Sequence, residues 1–413
     1  MTALSDTTRD RLTELIRKDI SEPPVEPETD PFWGSLARTG TAIWLDTGDI
    51  EAARSLWTRE MKALTTNNSL LNREVQKGIY DDFIREVGEI LKDLDPEDGV
   101  REVAFALNAR HGLRLVEAFG GMVSVELHTD LSDDLDGILH YGQRFFDISP
   151  DHFLVKVPLT ATGLLGTRML RERGVRVNLT LGFSARQNAL VTIFAKPNYC
   201  NVFLGRLGSF VAHHEIGDGE NVGEKAALSS QRVVKALANG RQTPTKQIAA
   251  SIREPEQLKR LAGVDVITMP PKVAGPAREQ LSGEFTSQLE TRLTIDVNPT
   301  VDQDTVRIEK LWQVEDELVD LAENLDEDPP HSGEAVVDRA IGYGFGELFP
   351  KLSDEDRTKI ETDGKIPDHA YWKERVRREE IALDAMMNLG GLAAFTADQQ
   401  KLDDRVRGLL SRA

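Results

Sequence analysis

Short apolar runs recur through the middle of the chain, each closed off by polar or glycine-containing segments. Eight stand out: Thr41–Thr47, Ala63–Asn67, Met122–His128, Phe153–Leu159, Arg176–Phe183, Tyr199–Arg206, Gln247–Ile252 and Val264–Met269. Most are rich in β-branched and aromatic residues, which favour a pleated, buried strand. Helical periodicity fills most of the intervals, as in Gly163–Arg173, Ala185–Ala195 and Glu224–Asn239. Strands alternating with helices predict βαβ units and a parallel sheet. Eight such strands predict closure into a (β/α)8 TIM barrel, an α/β fold with additional N- and C-terminal helices. The longest interval, Asn68–Gly121, has room for several helices.

The flanks read differently. Residues 4–20 form an amphipathic helical pattern with Leu4, Leu12, Leu15 and Ile16 on one side. Ser21–Asp30 holds three prolines and four acids and reads as a linker or extended arm. Glu309–Leu325 predicts an acidic helix, and Asp326–Gly333 a loop with two prolines. Residues 334–413 read as helical, with breaks near Pro350, Pro367 and Gly390–Gly391. The expected division is an N-terminal helix and linker over 1–40, a catalytic barrel over 41–305 and a helical region over 306–413. The last helix of that region is expected to pack on the barrel.

Composition adds limits. The 413 residues carry a formal net charge of -19, which repels nucleic acid and anionic lipid. An anionic substrate therefore needs local basic residues in its pocket. The one cysteine, Cys200, can make neither an intrachain disulfide nor a zinc cluster, and reads as an apolar filler. His213 and His214 have no third ligand at metal spacing and read as loop residues. Met1–Asp10 has no apolar core of a signal peptide, and no apolar run reaches the ~18 residues of a membrane span. The expected compartment is the cytoplasm, with no nucleic-acid or membrane partner and a homodimer as an open assembly.

Polar residues set into apolar strands are the candidates for chemistry, because a parallel barrel builds its site at the C-terminal strand ends. They are Asp46, Thr65, Asn67, Glu126, Lys156, Asn178, Thr180, Arg206, Ser251 and Arg253. Lys156 lies between Val155 and Val157. Desolvation there favours the neutral amine that carbonyl attack requires; the alternative is a lysine whose head reaches solvent at a strand end. Glu126 and Asp46 sit on separate strands and could divide proton transfers between them. Asp46 could equally cap the helix that Thr47–Asp49 introduces. Arg206 and Arg253 could hold a phosphate in guanidinium forks, or form structural ion pairs.

Together these segments resemble the transaldolase family. Trp44–Gly48 looks like its first strand motif, Leu64–Ser69 its Thr-Thr-Asn-Pro-Ser signature, and Val123–Glu126 its glutamate strand. Val155–Pro158 is similar to the Schiff-base lysine strand and Asn178–Ser184 to the Asn-Leu-Thr-Leu-x-Phe-Ser motif. Phe203–Arg206 and Ala250–Arg253 resemble the two phosphate-arginine segments. Seven motifs occur in family order across roughly residues 41–275, and Asp398–Leu410 is similar to the family's closing helix.

The resemblance implies transfer of a dihydroxyacetone unit between sugar phosphates of the pentose phosphate pathway, with no metal or organic cofactor. Lys156 would form the Schiff base, Glu126 and Thr180 would hold the catalytic water, and Asp46 would act as acid and base. Asn67, Asn178 and Ser251 would bind hydroxyls, with Thr65 and Phe203 beside them, and Arg206 and Arg253 would bind phosphate. Three departures bear on the substrate: Asn68 replaces the signature proline, Asn201–Val202 replace Ser-Pro, and His128–Thr129 replace an acidic-small pair. The segment from about Asp326 to Asn388 has no family counterpart. Two alternatives remain: a hydrolytic aldolase resembling fructose-6-phosphate aldolase, and a non-catalytic sugar-phosphate-binding barrel. The former has glutamine and tyrosine where this chain has Glu126 and Phe203.

Overall fold

A computed structural model describes residues 4–411. Eight parallel strands close into one barrel in sequential order. They are β1 (Ala42–Asp46), β2 (Met61–Thr65), β3 (Met122–Glu126), β4 (Phe153–Pro158), β5 (Val177–Thr180), β6 (Tyr199–Phe203), β7 (Lys246–Ala250) and β8 (Val266–Met269). Closure is made where β1 pairs with β8, Ala42 opposite Val266. All eight apolar runs are strands, and the barrel expected from their alternation with helices is present.

Period-two alternation sorts the strand residues between two cores. Trp44, Ala63, Leu154, Ile248, Ala250 and Val266 fill the barrel floor, where Trp44 meets Tyr199 edge-on at 4.8 Å. Val155, Val157, Ile43, Leu45 and their counterparts face outward into the larger core beneath the helices. The next inward position after each floor residue is polar in most strands: Asp46, Thr65, Lys156 and Thr268. The barrel therefore has an apolar plug below and a polar layer above.

Several boundaries differ from expectation. Leu204–Arg206 do not extend β6; they open the helix Leu204–His213, so Arg206 sits in a first helical turn. His213 is the last residue of that helix rather than a loop residue. The acidic helix starts at Asp316, not Glu309, because Ile308–Leu311 forms a separate 3-10 turn with Ile308 and Leu311 buried. That helix runs on to Glu327, which shortens the proline loop after it.

Gly390–Gly391 does not break the chain; both lie inside one helix, Leu383–Leu410. Tertiary contact overrides the low helix propensity of glycine there. A Cβ on Gly390 would stand 2.5 Å from Gly364 O, and one on Gly391 would stand 2.8 Å from Arg206 Nη1. The two glycines are what lets this helix lie against both partners.

The long helix lies across the C-terminal ends of the strands. Asn388 Nδ2 donates to Leu159 O (3.0 Å) and Leu181 O (2.8 Å), just past β4 and β5. Ser69 Oγ donates to Asp398 Oδ2 at 2.5 Å, past β2. At its start Asp384, fully buried, binds Arg186 through two bonds of 2.9 and 2.8 Å, and Arg186 also reaches Glu347 at 2.8 Å. No described helix is long and apolar enough to cross a membrane.

Candidate active site

A cavity of about 510 Å³ opens at the C-terminal strand ends. Asp46, Thr65, Asn67, Lys156, Asn178, Phe203, Arg206, Ser251 and Arg253 all line it. The remaining two candidates, Glu126 and Thr180, are buried in the same layer of the barrel. Strand register explains the convergence: Asp46 stands opposite Thr65, Glu126 opposite Lys156, Lys156 opposite Asn178, and Pro158 opposite Thr180.

Lys156 does not reach solvent: it is 4% exposed. Its Nζ donates to Thr66 O at 3.3 Å, stands 3.5 Å from Glu126 Oε1 and lies 5.6 Å from the Phe395 ring centre. Burial raises the pKa of Glu126 above the usual carboxylate value, with Lys156 and the Asn68 N–H opposing. Burial likewise raises Asp46, again opposed by Lys156. Both acids are thus held closer to proton-exchange range than an exposed carboxylate.

Asp46 is not a helix cap. Asp49 takes that role, accepting from Ala52 N at 3.0 Å. Asp46 Oδ1 instead accepts from Thr65 Oγ1 at 2.9 Å. That uses the one proton of Thr65, so the 2.7 Å contact between Thr65 and Thr268 is donated by Thr268. Across the barrel, Asn178 Nδ2 donates to Ser124 Oγ and Asn201 Nδ2 donates to Asn178 Oδ1, both at 3.1 Å. Thr180 Oγ1 is buried with no hydrogen-bond partner among the described residues. Asn67 caps the helix Asn68–Gln76 while facing the cavity, its Oδ1 accepting from Leu70 N at 2.8 Å.

Arg206 and Arg253 form no ion pair among the described residues. Arg206 is 5% exposed and its Nη1 is buried without a partner. Burial and then the charge of Arg253 bring the Arg206 pKa down to about 10. The Arg206 guanidinium packs 5.3 Å from the Phe203 ring centre and 5.5 Å from that of Phe395. Gly205 admits this pairing, since a Cβ there would come within 2.6 Å of Arg253 Cγ. Ser251 takes a positive φ of 66°, turning the chain sharply just after β7. Two unpaired guanidiniums at one mouth attract a dianion.

Other residues of this layer were not among the sequence candidates. Asn68 is fully buried; its backbone N–H donates to Glu126 Oε2 at 2.8 Å. Its side chain is held from both ends, Nδ2 to Leu127 O at 3.1 Å and Oδ1 from Asn108 Nδ2 at 2.9 Å. Ser124, Asn201 and Thr268 were readable, because each alternates with an inward strand residue. Phe395 and Lys365, which also line the cavity, carry no local signal; they arrive from far downstream of the last strand, Val266–Met269. Cys200 is a buried thiol, raised in pKa by burial. Among the described residues no group of three or more His, Cys, Asp or Glu is placed to hold a metal ion.

Comparison with known proteins agrees with this geometry. The family model described as transaldolase/fructose-6-phosphate aldolase matches residues 43–314, which span β1 to β8. A transaldolase of Xanthomonas campestris pv. campestris is 30% identical over 241 residues, 56% of this chain and 73% of that protein. A transaldolase of Stutzerimonas stutzeri is 28% identical over 273 residues, 65% and 85% of the two chains. A probable transaldolase of Nitrosopumilus maritimus is 28% identical over 234 residues, 56% and 84%. With barrel, lysine strand and matched span in agreement, the chain belongs to the transaldolase/fructose-6-phosphate aldolase family.

Proposed function

We propose that this protein is a transaldolase, moving a dihydroxyacetone unit from a ketose phosphate to an aldose phosphate through a Schiff base on Lys156. The observation that carries the reading is the setting of Lys156: an amine 4% exposed, 3.5 Å from Glu126, sharing its cavity with two arginines that form no ion pair among the described residues.

In this reading the Lys156 amine attacks the ketose C2 carbonyl to give a carbinolamine. Glu126, working through a water held with Thr180, delivers the proton with which hydroxide leaves as water, and the iminium forms. Asp46 takes the proton of the C4 hydroxyl. The C3–C4 bond then breaks, its electron pair passes into the iminium to give an enamine, and C4 departs as the aldehyde. An acceptor aldehyde enters, its carbonyl carbon is attacked by the enamine, and Asp46 returns the proton to the new alkoxide. Hydrolysis of the new iminium frees Lys156. Arg206 and Arg253 hold the phosphate end throughout, and Asn67, Asn178 and Ser251 face the sugar hydroxyls. The iminium is itself the electron sink.

The test is borohydride reduction with fructose 6-phosphate, followed by peptide mass spectrometry. An adduct on Lys156 is expected; an adduct on another lysine, or none, overturns the mechanism. The second reading is the hydrolytic aldolase, since the matched family includes fructose-6-phosphate aldolase. Phe203 favours the transferase, because its ring has no proton to give to the enamine carbon. Free dihydroxyacetone, assayed with glycerol dehydrogenase, separates the two: a transferase releases little without an acceptor, and Phe203→Tyr is expected to raise that release.

A further inference from the structure

Residues 364–368 connect the helices Asp354–Asp363 and His369–Arg377, beyond the span that the family model matches. The turn is pinned to the cavity rim from two sides. His214 Nε2 bonds Pro367 O at 2.8 Å. Gly390 of the long helix lies so close that an added Cβ would stand 2.5 Å from Gly364 O and 2.9 Å from Pro367 Cγ. Gly391, the next residue, abuts Arg206 in the same way. One pair of glycines thus seats this turn and Arg206 side by side.

Lys365 sits in the turn and lines the cavity with Arg206 and Arg253. Its carboxylate neighbours are already engaged. Asp363 and Asp368 are both bound by Lys359, at 2.8 and 3.2 Å. Asp398 is bound by Ser69 and Lys401, at 2.5 and 2.9 Å. Lys365 makes no ion pair among the described residues. Burial lowers its pKa, and Arg206 and Arg253 act in the same direction with Asp398 opposing. Lys365 thus joins Arg206 and Arg253, with Arg73 and Lys272 also on the lining, so that cations from separate parts of the chain converge at one mouth of a protein whose net charge is -19.

We infer that Lys365 is a third phosphate-binding residue, through which the C-terminal region takes part in selecting phosphorylated substrates. The inference rests on the proposed reading of the cavity as a sugar-phosphate site. A lysine suits the position: it is a flexible point charge that can meet a phosphate oxygen the two arginines leave uncovered. The role assigned is one of substrate binding, since Lys365 shares the cavity lining with Arg206 and Arg253.

The experiment compares wild type, Lys365→Ala and Lys365→Arg in two ways. Isothermal titration with inorganic phosphate reads the anion site without turnover. Steady-state kinetics with glyceraldehyde 3-phosphate and with unphosphorylated glyceraldehyde as acceptors read it in catalysis. Lys365→Ala is expected to weaken phosphate and raise the phosphorylated acceptor's KM about five- to tenfold, with kcat and the plain aldehyde unchanged and with Lys365→Arg close to wild type. Phosphate affinity and KM equal to wild type in Lys365→Ala overturn the inference, as does equal loss on both acceptors. A wild type that binds phosphate but transfers nothing refutes the transaldolase reading alone, and the titration then still decides the role of Lys365.

Discussion

At the scale of single residues, the state of Glu126 is set by opposing neighbours. Burial raises its pKa, while Lys156 and the backbone N–H of Asn68 favour the anion and Asp46 disfavours it; Arg101 and His128 line the small hollow behind it. Asn68 is the first residue of its helix, and Asn67 before it is extended, with φ -159° and ψ 170°. Proline fits that position, where its missing N–H breaks no helical bond, and the extended residue before it meets proline's steric demand. Asn68→Pro should therefore fold and delete one hydrogen bond to the carboxylate. The limb of the kcat/KM pH profile that reports Glu126 is expected to move up by about one unit, whereas Asn68→Ala, which keeps the N–H, leaves it in place. Equal profiles for both variants would remove Asn68 from the control of Glu126.

The raised pKa also has a stability sign. The folded state holds the Glu126 proton more tightly than the unfolded chain, whose value is near 4.5. As pH rises past that value and through the raised folded one, the folded state loses stability by this group, and the loss persists above both. Glu126→Gln lacks this penalty. At neutral pH it is expected to melt ~1–2 °C higher than wild type while turnover falls by ~10²–10⁴-fold. Calorimetry across pH 4–8 checks the first part: the difference in Tm between the two proteins should widen with pH. A constant difference would show that the carboxylate carries no such penalty.

At the scale of elements, the helix Leu383–Leu410 matters as much to the mouth as any strand. It brings Phe395 over Lys156 and Arg206, and it lets Arg206 in by carrying Gly391. Gly391→Ala would place a Cβ 2.8 Å from Arg206 Nη1 and 2.9 Å from Leu181 Cδ2. The guanidinium end is the softer of the two neighbours and is expected to move. KM for phosphorylated substrates should then rise about tenfold, with plain sugars and the circular dichroism spectrum unchanged. Equal losses on both substrate classes would mean that the helix, not the arginine, had shifted.

At the scale of the whole molecule, barrel and C-terminal region share a buried charge. Arg186, at the start of the helix after β5, is fully buried between Asp384 and Glu347, and Ser184 adds a bond of 2.6 Å to Asp384. Breaking one partner of such a pair leaves a desolvated charge and typically costs ~3–5 kcal/mol. Asp384→Asn is expected to lower the urea midpoint strongly, with barrel and C-terminal signals lost in one transition. An unchanged midpoint would mean that Arg186 finds water or another acceptor.

What the sequence determined by itself was whatever depends on local pattern. Short apolar runs rich in β-branched and aromatic residues, alternating with helical stretches, specified eight strands and their closure, and polar residues set into those runs marked Asp46, Thr65 and Lys156. Glu126, Thr180, Arg206 and Arg253 were marked in the same way, with the family resemblance beside it: each lies in or just after an apolar run, where chain position and spatial position nearly coincide. Tertiary structure alone decided the rest. Gly390–Gly391 read as a break because glycine weakens an isolated helix, yet close packing against Gly364 and Arg206 makes glycine the residue that fits. Asn68 read only as a missing proline, because a backbone N–H carries no sequence signature until a carboxylate 58 positions away is brought to 2.8 Å from it. Lys365 and Phe395 were invisible for a related reason: a cavity wall supplied from a distant segment leaves no periodicity in the residues that form it, and only the folded chain places them beside Lys156 and Arg206.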